Sequence, residues 1–194
     1  TGAAQTDNPT ITLTPAAADA TTTTITALPI SVAADGAATS TITVQAKDAH
    51  GNNLTTEGET VTLTANPGAV VLTVNPGVGG TGTYTATLPA STTAGVVTIA
   101  GTINAVGITD DATVTRTAAG ADVAQSTITL DPVSGSNVTV GTPVTATVQL
   151  LDANSNPTTS ALPVVIGRTG VGAITGTTNL GNGTYTATLT STAT

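Results

Sequence analysis

Gly82-Thr83-Tyr84-Thr85-Ala86-Thr87-Leu88 returns 101 residues later as Gly183-Thr184-Tyr185-Thr186-Ala187-Thr188-Leu189. The repetition extends outward from this stretch. Thr10-Ile11-Thr12-Leu13-Thr14 answers Thr113-Val114-Thr115-Arg116-Thr117 at a shift of 103. Asp48-Ala49-His50-Gly51-Asn52 answers Asp152-Ala153-Asn154-Ser155-Asn156 at a shift of 104. Small loop changes account for the drift. A period of about 102 residues is the size of one immunoglobulin-like sandwich.

Alternation and turn residues predict strands near 23–28, 30–33, 39–47, 59–65, 69–74, 82–88, 95–103 and 110–117. Asp35-Gly36, Gly51-Asn52, Asn66-Pro67-Gly68, Asn75-Pro76-Gly77 and Ala94-Gly95 punctuate them. Thr41, Thr43 and Gln45 alternate with Ile42, Val44 and Ala46, so one set faces a core and the other faces water. No segment reads as an amphipathic helix. The expected class is all-β, as tandem immunoglobulin-like β-sandwiches with the second one incomplete within this chain. Residues 1–21 match 104–124, and Thr194 corresponds to about Thr93. The expected domains follow. Residues 1–21 are the final strand and linker of a preceding or donated repeat, 22–124 a complete sandwich with its linker, and 125–194 a sandwich lacking its last two strands.

Composition excludes several functions. The 194 residues include no Phe, Trp, Met or Cys, two Tyr, one His and 49 Thr. Charged residues are 7%, against roughly 25% in ordinary soluble domains. Without Cys there is no disulfide, thiolate metal site or cysteine nucleophile. Three Lys plus Arg and a net charge of −8 remove the electrostatic basis for nucleic-acid binding. No apolar run is long enough to span a membrane as a helix. Recurrent Val and Ile argue against disorder. Few Lys and no Cys or Met suit an extracellular setting. The chain opens on Thr with no signal peptide and is read as a mature or excised segment.

The stretches Ala34–Val44, Asp48–Asn52, Gly82–Leu88, Thr93–Thr98 and Gly120–Thr127 together resemble the bacterial immunoglobulin-like repeats of invasin- and intimin-type surface adhesins. The resemblance covers essentially the whole chain. It implies a non-catalytic, extracellular module of a bacterial cell-surface stalk. It does not imply receptor binding, which such adhesins carry in a separate terminal domain. Ser155 stands where Gly51 sits, so that turn is expected to differ between the repeats.

Asp48-x-His50-x-Asn52 and Asp152-x-Asn154-x-Asn156 offer oxygen atoms at alternate positions, as a calcium loop begins. Asp19 and Asp122 recur in register in the linkers. Asp48, Asn52, Asp152, Asn154, Asn156, Asp19 and Asp122 are therefore calcium candidates, set against local turn capping by Asp and Asn. No other cofactor is indicated. His50 is replaced by Asn154 in the second repeat and lacks a positioned catalytic partner. Glu57 and Glu59 fall on one face of a strand, but the second repeat has no equivalents. Tyr84 and Tyr185 share a repeat position, which points to packing. Lys47 is a candidate for an isopeptide crosslink, although its counterpart is Leu151. Asn53, Asn137 and Asn182 head N-glycosylation sequons, and Thr21–Thr24 is a candidate for O-linked sugar.

An open second sandwich exposes unpaired backbone groups. Two readings stand: a piece of a longer array, or strand donation. In the second, Thr10, Ile11, Thr12, Leu13 and Thr14 of one subunit enter the next subunit and build a head-to-tail fibre. The expected partners are neighbouring immunoglobulin-like repeats or identical subunits. The alternative function is an adhesion module that binds a glycan or host protein, against which the scarcity of aromatics and Arg counts.

Overall fold

The computed structural model describes residues 10–77, 79–159, 162–170 and 172–190. Every regular element among them is a strand. They are β1 (Thr24–Leu28), β2 (Ser31–Ala33), β3 (Ser40–Gln45), β4 (Val61–Asn66), β5 (Val70–Leu72), β6 (Asn75–Pro76), β7 (Thr83–Leu88), β8 (Gly95–Ile103), β9 (Val106–Gly107) and β10 (Ala112–Thr117). There follow β11 (Thr127–Asp131), β12 (Pro143–Gln149), β13 (Ala173–Ile174), β14 (Thr178–Gly181) and β15 (Thr184–Thr190).

Two compact units make up the chain. One comprises Thr1–Ser31, Thr39–Pro89 and Val96–Val114, and the other Val32–Ala38, Ala90–Gly95 and Thr115–Thr194. The second unit thus gathers two turns of the first sequence repeat together with the second repeat.

Residues 24–117 form two sheets. One runs β1-β3-β7-β6; the other runs β2-β10-β8-β4-β5, with β9 on β8. Ile42 and Val44 on β3 are fully buried while Thr41 before them is exposed and Thr43 between them is half-buried, as the alternation requires. Opposite them, Leu63, Ile99 and Val114 are fully buried on the second sheet. Gly101 makes room both for the neighbouring strand of its own sheet and for the facing sheet. A Cβ on Gly101 of β8 would stand 2.7 Å from a Leu63 methyl and 3.4 Å from Ile25.

In the second unit β11-β12-β15-β13 form one sheet, with β14 also on β15. It repeats β1-β3-β7 residue for residue. Val44 faces Tyr84 as Val148 faces Tyr185, and Gln45 faces Thr83 as Gln149 faces Thr184. The glycine that opens each Gly-Thr-Tyr strand is required twice over. Gly82 and Gly183 have φ of +61° and +70°, and a Cβ would lie 2.5 Å from the carbonyl of Leu54 or Thr158.

Two elements of the repeat do not recur among the described residues: no strand forms near 134–136, where β2 would fall, or at 164–166, where β4 would. Val164-Val165-Ile166 keeps the half-buried, exposed, buried order of Val61-Thr62-Leu63, and Ile166 packs on Ala146 and Ala187. Yet it forms no strand, whereas β4 is held between β5 and β8. Ile128, at the position of Ile25, is 62% exposed where Ile25 is 3%. An apolar cleft of about 470 Å³ opens beside it, lined by Val148, Leu150, Leu162, Val164 and Val165.

Candidate functional site

The chemistry of this chain is concentrated in one turn, present twice. In the first repeat the buried Asp48 carboxylate closes the turn on itself. Its Oδ1 accepts from the N–H groups of His50 (3.0 Å) and Asn52 (2.9 Å). Its Oδ2 accepts from Asn52 Nδ2 (3.0 Å) and from the Ala16 N–H (3.1 Å), which ties the linker down. Asp152 repeats each bond. Its Oδ1 takes the N–H groups of Asn154 and Asn156 (both 2.9 Å), and its Oδ2 takes Asn156 Nδ2 (2.9 Å) and the Ala119 N–H (3.0 Å). Short polar side chains favour such turns because they offer the backbone a local acceptor. The Ser155 turn matches the Gly51 turn after all. Ser155 takes φ of +65° and donates its N–H to the Asp152 carbonyl at 2.9 Å, as Gly51 does to Asp48 at 2.8 Å. The surrounding bonds fix the conformation that glycine adopts freely.

These donors set the electrostatics. The Asn52 amide bond, opposed by burial and supported by the N–H groups of Ala16, Asn52 and His50, lowers the Asp48 carboxyl to about 2. At Asp152 burial pushes upward. The Asn156 amide and the N–H groups of Asn156, Ala119 and Asn154 outweigh it, so the carboxyl still lies below the usual range.

The two turns differ in what lies against them. Asn52 is exposed, whereas Asn156 is 6% exposed. Asn156 Nδ2 donates to the Thr92 carbonyl (2.8 Å), and its Oδ1 accepts the Ala94 N–H (2.8 Å). Asn154 Nδ2 donates to the Ala34 carbonyl (3.2 Å). The Ala34 N–H in turn donates to the Thr117 carbonyl (2.9 Å). All of these residues belong to the second unit. The turn therefore fastens three separate stretches of chain, around Ala34, Thr92 and Ala119, to the second repeat.

The linker aspartates have a similar, smaller role. The N–H of Asp19 donates to the Lys47 carbonyl (2.8 Å) and that of Asp122 to the Leu151 carbonyl (2.7 Å). Their carboxylates accept the N–H two residues on, from Thr21 and Ala124 (both 2.7 Å). The Thr21 hydroxyl also binds Asp19, and this bond leads in holding its carboxyl below the usual range. The calcium candidates thus sit on two structurally repeated pieces, the turn and the linker, and Asp48 and Asp152 spend both carboxylate oxygens on N–H donors. Among the described residues, no three His, Cys, Asp or Glu side chains come together as a metal set.

The other candidates are dispersed. His50 is an exposed turn residue. Glu57 and Glu59 precede β4 rather than lying on it, and they are drawn to different loops. Glu57 accepts the Thr81 N–H (2.8 Å), and Glu59 binds Asn104. Tyr84 and Tyr185 are both 3% exposed. The Tyr84 hydroxyl accepts the N–H groups of Gly58 (3.1 Å) and Glu59 (2.9 Å), and the Tyr185 hydroxyl donates to the Leu162 carbonyl (2.7 Å). Lys47 pairs in the backbone with Asn53. Asn53, Asn137 and Asn182 are exposed. Thr10–Thr14 is exposed and forms no strand, with Ile11 87% and Leu13 90% exposed.

Sequence reasoning found the Asp–Asn turn but missed the reach of Asn156 to Thr92 and Ala94. The available signal was recurrence. The amide at the fifth turn position is kept in both repeats, while the fourth changes from Gly to Ser.

An all-β chain with immunoglobulin-like strand patterning and a repeated, hydrogen-bonded Asp–Asn turn defines an immunoglobulin-like module. The chain belongs to the family described as invasin, domain 3, whose model matches residues 19–119. No curated protein sequence matches it. Among solved structures, Yersinia pseudotuberculosis InvD is 25% identical with a TM-score of 0.66, over 90% of this chain and 50% of that one. The Escherichia coli adhesin FdeC is 30% identical with a TM-score of 0.51, over 93% of this chain and 58% of that one. Invasin, a bacterial integrin-binding protein, is 25% identical with a TM-score of 0.61, over 91% of this chain and 35% of that one. The chain therefore spans little more than half, or less, of each.

Proposed function

We propose that this chain is a non-catalytic structural module of an extracellular bacterial adhesin stalk, in which residues 22–124 and 125–194 are successive immunoglobulin-like repeats. The observation that carries this reading is the Asn156 bridge. It spends a buried side chain on holding one repeat's turn to the loops of another and leaves no reactive group in the site. No helix among the described residues is long and apolar enough to cross a membrane.

A spacer exposed outside a cell must resist proteolysis, and the sequence supplies a reporter. Trypsin has three sites: Lys47, Arg116 and Arg168. Arg116 lies on β10 at the repeat boundary, and Arg168 lies in an exposed segment outside any strand. Cleavage needs local opening. The chain is expected to be cut after Arg168 and to persist uncut after Arg116, while Asn156→Ala is cut at both. Equal rates at Arg116 and Arg168 in the unaltered chain would contradict the proposal.

A second reading rests on the exposed Ile128 and the cleft beside it. We propose that the second repeat is closed by a further strand of the β8 kind laid against Val164–Ile166. Residues 10–14, which match β10 in sequence, are in turn a closing strand for another such sandwich.

A further inference from the structure

We propose that the Asp48–Asn52 turn is a docking face for one more immunoglobulin-like module, lying earlier in the same polypeptide and presenting a loop of the Ser91–Gly95 kind. The inference rests on reading Asn156 as a lock. It follows from comparing two copies of one device, one engaged and the other open.

The Asp48 and Asp152 turns agree bond for bond. The Asp carbonyl accepts the N–H three residues on, the Asp N–H donates to the carbonyl four residues on (both 2.9 Å), and the carboxylate takes the same four donors. The fit extends into the linkers. Thr23 and Ser126 hydroxyls donate to the Asp19 and Asp122 carbonyls (2.8 and 2.7 Å) and accept the N–H groups of Lys47 and Leu151 (3.3 and 3.1 Å). The amide that grips Thr92 and Ala94 in the second repeat is thus present and preset in the first, at Asn52, where it is exposed. Asn52 donates to Asp48 within its own turn (3.0 Å) as Asn156 does to Asp152 (2.9 Å), so its exposed amide is held in the pose that Asn156 presents to Thr92 and Ala94.

The partner is defined by what Asn156 and Asn154 hold. It must offer a backbone carbonyl and, two residues on, an N–H, as Thr92 and Ala94 do, with a second carbonyl placed like that of Ala34. The linker sets its position. Ala119, bound to Asp152, follows β10 directly, and Ala16, bound to Asp48, follows residues 10–14, the sequence match of β10. The module received at Asn52 is therefore the one whose last strand is Thr10–Thr14. A second copy of this chain does not supply it from its first repeat, because there Asn156 already fills Thr92 and Ala94.

The test is a lengthened chain in which residues 1–118 are followed by residues 16–194, which places one first repeat ahead of another. Amide hydrogen exchange is then followed by NMR at Ala94 of the leading repeat. Substituting Asn52→Ala in the following repeat is expected to speed that exchange about tenfold or more. Asn52→Ala in the leading repeat should leave it unchanged. No change from the following-repeat substitution, or failure of the lengthened chain to fold, would overturn the proposal. So would protection of Asn52 in the unaltered chain that appears only at high protein concentration, which would make a second copy the occupant. If Asn156→Ala is itself without effect, the lock reading fails first. If Asn156→Ala acts and Asn52→Ala does not, only this proposal fails.

Discussion

Replacing Asn156 by Ala, beside the same replacement of Asn52, isolates what the loop contact contributes. Both substitutions remove an amide that donates to a carboxylate within its own turn, at 2.9 Å to Asp152 and 3.0 Å to Asp48. Asn156→Ala additionally strands the Thr92 carbonyl and the Ala94 N–H, each held at 2.8 Å. A buried polar group left unpaired costs about 1–3 kcal/mol. Both groups are only part-buried, so water recovers some of this. The expected excess of Asn156→Ala over Asn52→Ala is therefore about 1–3 kcal/mol in total. For a unit of this size that corresponds to about 4–8 °C in Tm per kcal/mol. An NMR-monitored urea titration, following amides of each unit separately, gives both costs as shifts in midpoint. Asn156→Ala should move the transition of the second unit, including Ala34 and Ala94, and leave Ile42 and Ile99 in place. Costs equal within ~0.5 kcal/mol would refute the argument, since the loop bonds would then contribute nothing beyond the turn.

Three further outcomes are expected. Asp48, at about 2 in the folded chain, lies below its unfolded value, and Asp152 is lowered too. Their contribution is thus complete above pH ~4 and lost as pH falls toward 2; a urea midpoint that drops between pH 8 and 5 would contradict this assignment. Thermal melts in EDTA and in excess Ca²⁺ should coincide, because the Asp48 and Asp152 oxygens already take N–H donors; a rise of several degrees with Ca²⁺ would instead support a calcium site. A peptide of residues 94–103 added to the chain should bind the second unit and protect the amides of Val164–Ile166 from exchange; no protection at millimolar peptide would count against closure by a β8-type strand.

The fold was legible because burial and sequence share a period of two. Ile42, Val44, Tyr84 and Ala86 are inside, and β1, β3, β7, β8 and β10 fall within a residue or two of the alternating runs. The repeat added register, since Gly-Thr-Tyr faces the same residues in both copies. Legibility failed where a contact depends on a distant partner. Val164-Val165-Ile166 has the pattern of β4 but no paired strand, because a ladder needs a neighbour that local pattern cannot supply. Glu57 and Glu59 read as a strand face, yet loops at Thr81 and Asn104 claim them separately. The Asp–Asn turn was visible as turn chemistry. Its reach to Thr92, some sixty residues away in sequence, was not, because the same five residues serve an exposed turn at Asp48 and an engaged one at Asp152.

The central claim is that a repeat is held by Asn156 on the loop at Thr92–Ala94. The most direct measurement is native-state hydrogen exchange at the Ala94 amide of the unaltered chain. The account expects Ala94 to exchange as slowly as the strand amides of β12 and β15, through cooperative opening of the second unit. Exchange at Ala94 as fast as at exposed turn amides such as Ala153 would contradict it.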